Sequence, residues 1–166
     1  MTILKGKEFI LRPLSLSDVP SFFEVMQDEE TKRNLESVPT TLEEAKREIE
    51  GYLLQEKEKD SEYFSIDIDG RYAGNVVLQH QNWDPASNEG RVHLWIHPEF
   101  RKRGLATTAL KEVVRYGLKK KFRCIFAQCK AMNKGVIKIL LNVGFTRVKT
   151  FVNEAGVEKI LWIIED

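Results

Sequence analysis

The run Arg101-Lys102-Arg103-Gly104-Leu105-Ala106 joins a strand-like segment to an amphipathic helical one, and its residue types suit phosphate binding. Before it, Val92, Leu94 and Ile96 alternate with His93, Trp95 and His97, the period of a half-buried strand. After it, Ala106, Ala109, Leu110, Val113, Val114 and Gly117 recur at helical spacing. A helix that opens inside the run leaves its first backbone N–H groups without intrahelical partners, at the positive end of the helix dipole. Phosphate oxygens bind at such a turn. Gly104 lets a bulky anion come close to the backbone, Ala106 keeps a nearby position small, and Arg101, Lys102 and Arg103 add positive charge. The expectation is a diphosphate site.

Two common diphosphate loops do not fit. The P-loop, G-x-x-x-x-G-K-[ST], needs a second glycine and a Lys-Ser/Thr pair, whereas Gly104 stands alone before Leu105. The dinucleotide fingerprint G-x-G-x-x-G fails for two missing glycines. What remains is R/Q-x-x-G-x-G/A at a strand-to-helix junction, set within Trp95-Ile96-His97-Pro98-Glu99-Phe100 before it and Thr107-Thr108-Ala109-Leu110 after it. About thirty residues on comes Asn133-Lys134-Gly135-Val136-Ile137-Lys138-Ile139-Leu140-Leu141-Asn142-Val143-Gly144-Phe145. On these segments the chain resembles the GNAT acyltransferase superfamily. Its opening, Phe9-Ile10-Leu11-Arg12-Pro13-Leu14-Ser15-Leu16-Ser17-Asp18, resembles the RimJ/RimL-like branch, which contains ribosomal-protein N-terminal acetyltransferases.

The resemblance implies acetyl-coenzyme A as co-substrate, with its pyrophosphate wrapped by Arg101, Lys102, Arg103, Gly104, Leu105, Ala106 and Thr107. It places the pantetheine arm between strands at 92–97 and 124–129 that splay apart. Backbone groups of Leu94, Trp95 and Ile96 would pair with the arm, and an N–H near Ile96 would face the thioester oxygen. Asn133 falls where the family keeps an Asn near the cofactor's sulfur end, and its residue type also suits an N-cap for a helix opening at Lys134.

Two departures bear on mechanism. Where many relatives carry a Tyr four positions before the Gly-Phe pair, this chain has Leu140; where the branch often carries Ser three positions after the Asn, it has Val136. A general acid contributes about 100- to 10,000-fold, so a weak or differently assisted reaction is expected, with water or Asn133 helping a thiolate to leave. A thiol of pKa about 8.5 leaves tolerably without a donor. For the base, Glu89 lies near where some relatives keep a carboxylate, although it also reads as a solvated loop charge. His93 shares a strand face with Trp95 and has a suitable unperturbed pKa, so its replacement by Gln is expected to flatten an acidic limb; His80 ends the preceding strand. The candidate catalytic set is His93, Asn133 and Glu89.

The elements that must position these groups are legible around them. Ser17 is expected to cap a helix carrying Val19, Phe22, Phe23 and Met26, and Thr41-Leu42-Glu43-Glu44 reads as a capping box opening a second. Glu43–Glu50 and Glu56–Glu62 read as solvated faces of that second helix. Phe64, Ile66 and Ile68 run into Asp69-Gly70, and Tyr72 to Leu78 returns, a tight hairpin. A strand at 125–129, a helix at 134–143 capped by Gly144, and a last hairpin of 145–152 and 159–164 follow. The order βααβββαβαββ gives an α/β fold with a mixed sheet, as the GNAT resemblance implies.

With 166 residues the chain suits one domain, 1–166. Lys+Arg of 26 against Asp+Glu of 25 gives no bulk attraction to nucleic acid or anionic membrane, so neither DNA nor a membrane is an expected partner. The run Ile160 to Ile164 has a strand's length, not a membrane span's. Met1–Glu8 lacks the apolar core and cleavage site of a signal peptide. Cys124 and Cys129, five apart in a strand, face opposite ways, so neither a disulfide nor a metal site is expected, and a reducing cytoplasmic location fits. Lys119-Lys120-Lys121-Phe122-Arg123 offsets a helix dipole. Trp83 reads as a loop lid or a wall of the acceptor pocket.

The expected activity is direct acetyl transfer to a primary amine, either a protein N-terminus or a small molecule, by a monomer or homodimer. Leu140 and Val136 keep open a non-catalytic acyl-coenzyme A-binding module, and a phosphate-binding domain for another nucleotide is a further rival.

Overall fold

Alternating apolar residues build one eight-stranded sheet whose two faces recruit different helices. The computed structural model describes residues 2–166; Met1, where the N-terminal reading begins, lies outside the described residues. In chain order the elements are β1 (Leu4–Lys5), β2 (Ile10–Pro13), α1 (Val19–Gln27), α2 (Glu29–Asn34), α3 (Leu42–Glu58), β3 (Glu62–Ile68), β4 (Arg71–His80) and β5 (Glu89–Ile96). Then come α4 (Leu105–Lys120), β6 (Cys124–Lys130), α5 (Lys134–Val143), β7 (Thr146–Val152) and β8 (Glu158–Glu165). The sheet order is β1-β2-β3-β4-β5-β6-β8-β7, antiparallel throughout except for β5 beside β6. The mixed α/β sheet is as expected, with β1 and α2 added to the expected order.

Helix α2, Glu-Glu-Thr-Lys-Arg-Asn, has no apolar stripe to betray it. Its ends make it: the Asp28 carboxylate accepts the Thr31 N–H at 3.0 Å, with Glu29 and Glu30 in the first turn and Lys32 and Arg33 in the last. The cap expected at Ser17 lies elsewhere. Leu16–Asp18 form a single 3₁₀ turn, the Ser15 N–H donates to Asp18 Oδ2 at 3.0 Å, and Asp18 itself precedes α1. Thr41 Oγ1 does accept the Glu44 N–H at 3.1 Å, but the Glu44 carboxylate reaches Thr40 N at 2.7 Å, one residue off a true box. The acidic stretches are not wholly solvated either. Glu56 accepts the Tyr63 N–H at 2.9 Å, and Glu62 belongs to β3, where it pairs with Lys121 at 3.2 Å.

On one face Ile66, Val76, Val92, Ile96 and Ile125 pack on Ala109, Leu110 and Val113 of α4 and Leu140 of α5. On the other, Tyr63, Val77 and Trp95 pack on Phe22, Val25 and Met26 of α1 and Ala45 and Ile49 of α3. The β3–β4 turn takes φ +51 at Asp69 and +79 at Gly70, the left-handed pair of a tight hairpin.

One register matters for function. β5 and β6 pair only at Glu89–Cys124, Gly90–Ile125 and Arg91–Phe126. Beyond these each strand stays bonded on its outer side, β5 to β4 and β6 to β8, while the two diverge. The splay therefore opens at Val92 and Ala127; residues 124–126, expected within it, are still paired.

Candidate active site

The divergence leaves a cleft of about 730 Å³. Val92–Ile96 and Ala127–Lys130 form its two strand walls, the start of α4 closes one end, and Asn133, Val136 and Leu140 of the α5 segment lie along one side. Thr31, Asn34 and Leu35, from α2 and the residue after it, form the opposite rim.

Strand alternation decides which backbone groups face this gap. The His97 N–H donates to Ala73 O at 2.8 Å, so residues 97, 95 and 93 turn their peptide groups to β4, and Leu94 and Ile96 turn theirs to the cleft. Ile96 O is already bonded by Arg101 Nε at 3.2 Å, which leaves the Ile96 N–H and the groups of Leu94 facing the opening. Trp95 thus departs from expectation. Its backbone is turned toward β4; the residue borders the cleft, and its indole packs against Phe22 and Tyr52 and donates through Nε1 to the Tyr72 hydroxyl at 3.1 Å.

At the start of α4, Gly104 has φ +73, a left-handed conformation that glycine adopts without strain. A Cβ there would meet nothing within 4 Å, so the open side of the turn is free for a ligand. The first helical bond runs from Thr108 N to Gly104 O at 3.1 Å, and the N–H groups of Leu105, Ala106 and Thr107 have no partner among the described residues. The basic residues of the loop divide. Arg101 bonds Thr31 Oγ1 at 2.9 Å, Asp28 at 2.8 Å and Glu30 at 3.1 Å, so its charge is balanced inside the protein. Arg103 does not line the cleft, and its guanidinium lies 5.7 Å from the centre of the Phe100 ring. Lys102 and, from α5, Lys138 line it.

Of the catalytic candidates, His93 lines the cleft, its ring 5.7 Å from that of Trp95. Burial, helped by the charge of Arg91, pushes its pKa down to about 4, so it is neutral at pH 7 and a weak base. Asn133 lines the cleft as well, with Oδ1 accepting the Val136 N–H at 3.2 Å to cap α5 and Nδ2 without a partner among the described residues. Leu140 is 1% exposed, an apolar wall where a proton donor was sought. Glu89 is displaced: it sits at the paired end of β5, bonded to Arg123 at 2.6 Å, about 17 Å of strand from Leu94. His80, bonded to Ser87 O at 2.9 Å and Asp60 at 3.3 Å, is likewise outside the cleft wall, as is Trp83. The rim residues Thr31 and Asn34, together with Lys130, escaped the sequence reading; for Lys130, one residue beyond the expected strand at 124–129, strand alternation from Gln128 was the available signal. Among the described residues no group of three or more His, Cys, Asp or Glu is placed to hold a metal ion, and no helix is long and apolar enough to cross a membrane.

A splayed parallel pair that ends at a helix start with unpartnered amides leaves room for an extended ligand carrying an anionic group. Residues 8–146 match the acetyltransferase (GNAT) domain family, and the chain belongs to that family. An N-acetyltransferase 9-like protein of Dictyostelium discoideum is 29% identical over 136 residues, covering 70% of this chain and 63% of its own length. The chain thus spans less than two thirds of that curated relative. The fold is shared with a Salmonella typhimurium acetyl transferase that modifies the N-terminal serine of ribosomal protein L7/L12, at TM-score 0.85, 15% identity and 99% coverage of both chains. It is shared equally with RimL, a ribosomal L7/L12 alpha-N-protein acetyltransferase, in complex with coenzyme A, at TM-score 0.86, 15% identity and coverage of 99% and 98%.

Proposed function

We propose that this chain transfers an acetyl group from acetyl-coenzyme A directly to a primary amine, in a reducing, cytoplasmic setting compatible with its free, buried Cys124 and Cys129. The observation that carries this is the meeting of the β5–β6 splay with the unpartnered amides of Leu105, Ala106 and Thr107. Acetyl-coenzyme A supplies the activated acyl group when bound. Those three amides, Gly104 and the charge of Lys102 suit its pyrophosphate; Arg101 acts by holding the loop against β5 and α2. Leu94 offers its backbone groups to the arm. The Ile96 N–H faces the cleft and is assigned to the thioester oxygen, on which negative charge develops during acyl transfer, a donor role worth roughly 3 kcal/mol.

His93 narrows the acceptor. A neutral imidazole of pKa about 4 takes a proton from an ammonium group poorly, so with His93 as the candidate base the reaction is expected to draw on acceptor that enters as free amine. An α-amine of pKa about 7.7–8.0 is about one-tenth free at pH 7, and an alkyl amine of pKa about 10.4 less than a thousandth. A site with no stronger base than His93 would favour peptide N-termini over polyamines. Apparent kcat/KM should rise with pH toward about 8 in wild type and in His93→Gln alike, with any His93-dependent limb near pH 4. Loss of the upper limb in the variant would restore His93 as the base.

Leu140 and Val136 favour a second reading, an acyl-coenzyme A-binding module without turnover. Calorimetric titration with acetyl-coenzyme A, followed by thiol release in the presence of N-terminal peptides and small amines, separates the two. Binding with release supports transfer; binding without release supports the module; no binding rejects both.

A further inference from the structure

The sheet face that carries His93 also carries a half-buried guanidinium with no ion-pair or hydrogen-bond partner among the described residues. Among the described residues three arginines are not exposed: Arg12, Arg91 and Arg101. Arg12 is paired with Asp18 at 2.7 Å and Asp67 at 2.8 Å, and Arg101 with Asp28 and Glu30. Arg91 has neither a carboxylate in ion-pair contact nor a hydrogen-bond partner among the described residues. Burial lowers its pKa, and Glu36 is the acidic group that opposes this. Yet Glu36 is held by Lys159 at 3.1 Å and Asn153 at 3.2 Å. Glu89, two residues back on the same face, is taken by Arg123. A guanidinium that is partly desolvated, still reached by solvent and paired with no carboxylate is open to an anionic partner that arrives from outside.

Its position says which partner. α4 and α5 cover the face of Val92 and Ile96, the side of the Gly104 turn. On the acetyltransferase reading the amine approaches from the opposite face, where residues 91, 93 and 95 of β5 point; α1 and α3 pack there on β3, β4 and Trp95. On that face Gln79 lies across from Arg91 and has a buried Oε1 with no partner among the described residues, and Phe126 is its neighbour in β6. Lys130, at the rim, is bonded to the carbonyls of Arg33 and Leu35 and to no carboxylate. The unbalanced charge beside the amine's route is thus positive.

We propose that Arg91 selects the acceptor by binding a carboxylate that the acceptor carries near its reacting amine. The inference rests on the acetyltransferase reading. Arg91 lies three to five residues from Leu94 and Ile96, about 10–17 Å along the strand, a distance its own side chain shortens. With an extended peptide advancing about 3.3–3.6 Å per residue, the matching carboxylate is an acidic side chain within the first few residues of an N-terminal peptide. The carboxylate of a small amino acid or dicarboxylic amine offers the same chemistry at shorter reach.

The test uses the full chain saturated with coenzyme A. Calorimetry compares peptides beginning Ser-Asp-Glu with Ser-Asn-Gln counterparts, alongside glutamate as the small-molecule arm and spermidine as the polycation. We expect the acidic peptide to bind about tenfold tighter than its amide twin, the size of one charge-assisted contact. Arg91→Gln should remove that ratio, Arg91→Lys should keep part of it, and coenzyme A affinity should stay the same in both. Tight glutamate binding lost in Arg91→Gln would assign the carboxylate to a small molecule. Equal affinity for the two peptides together with no Arg91-dependent glutamate binding, a ratio surviving in Arg91→Gln, or preferred binding of spermidine overturns the proposal. Because binding is read without turnover, a protein that binds the acidic peptide through Arg91 yet releases no thiol sinks the acetyltransferase reading and leaves the Arg91 site standing. The peptide ratio in wild type stands as the test should a variant fail to fold.

Discussion

At the level of single residues, Asn133 places two demands on one amide. Its Oδ1 caps α5 through the Val136 N–H, while its Nδ2 belongs to the cleft wall. Asn133→Asp keeps the acceptor that caps and removes the donor; Asn133→Ala removes both. The alanine variant should lose about 1 kcal/mol of stability in urea titration, the usual value of an N-cap, and the aspartate variant should lose none. If the amide assists departure of the thiol, both variants should turn over more slowly; full turnover by the aspartate form would make Asn133 a cap and nothing more. Gly104 separates backbone strain from ligand contact in the same way. Alanine at φ +73 should cost about 1 kcal/mol of fold stability. Since a Cβ there meets nothing in the free protein, any greater loss in coenzyme A affinity measures how closely the ligand approaches the turn.

Arg101 shows how elements, more than single side chains, make the site. It ties the phosphate-facing loop to Ile96 O of β5 and to Thr31, Asp28 and Glu30 around α2, so that one guanidinium sets the distance between three walls of the cleft. Arg101→Gln should weaken coenzyme A binding and speed amide hydrogen exchange across 29–34, because Arg101 ties the first turns of α2 to the loop; unchanged exchange there would show that the Asp28 cap and the Lys130 bonds to Arg33 O and Leu35 O suffice. This tie also marks where sequence reasoning reached its limit. The strand, turn and helix around Gly104, the Asp69-Gly70 hairpin and the Gly144 cap were legible because periodicity and turn chemistry are local. Helix α2 was not, since six polar residues carry no periodic signal, and Arg101 read as a phosphate ligand because its partners lie about seventy positions away. The direction of the Trp95 backbone was equally hidden. It is fixed by which residue of β4 opposes it, and one step of register would reverse it. Glu89 failed for a related reason: its type suits a base, but the paired end of β5 holds it away from the opening.

For the whole molecule, the buried groups that shape the site also set how the fold responds to acid. His93 titrates near 4 in the folded chain, against about 6.5 when unfolded. The unfolded chain therefore takes up the extra proton between those values, so this contribution is complete above pH 6.5 and declines as pH falls toward 4, by on the order of 3 kcal/mol at most. Asp18 works in a lower window. Burial would raise its pKa, but hydrogen bonds from Arg12, Ser65 and the Ser15 N–H outweigh that and hold it below the usual value. Its contribution is present above about pH 3.9 and is lost as pH falls further. Glu56, pushed up by burial, acts in the opposite sense, but identically in wild type and in a His93 variant. Urea midpoints of wild type and His93→Gln at pH 7, 5 and 4 isolate the imidazole. The wild type should lose its advantage, or fall behind, between pH 6.5 and 4, and both proteins should then decline together below 4 as Asp18 is protonated. Parallel curves across the upper window would mean that His93 is solvated in the folded chain, and the preference for free α-amines inferred from its weak basicity would fall with it. Adding Arg91→Gln should narrow the upper window from below, since removing the neighbouring charge lets His93 take its proton at higher pH.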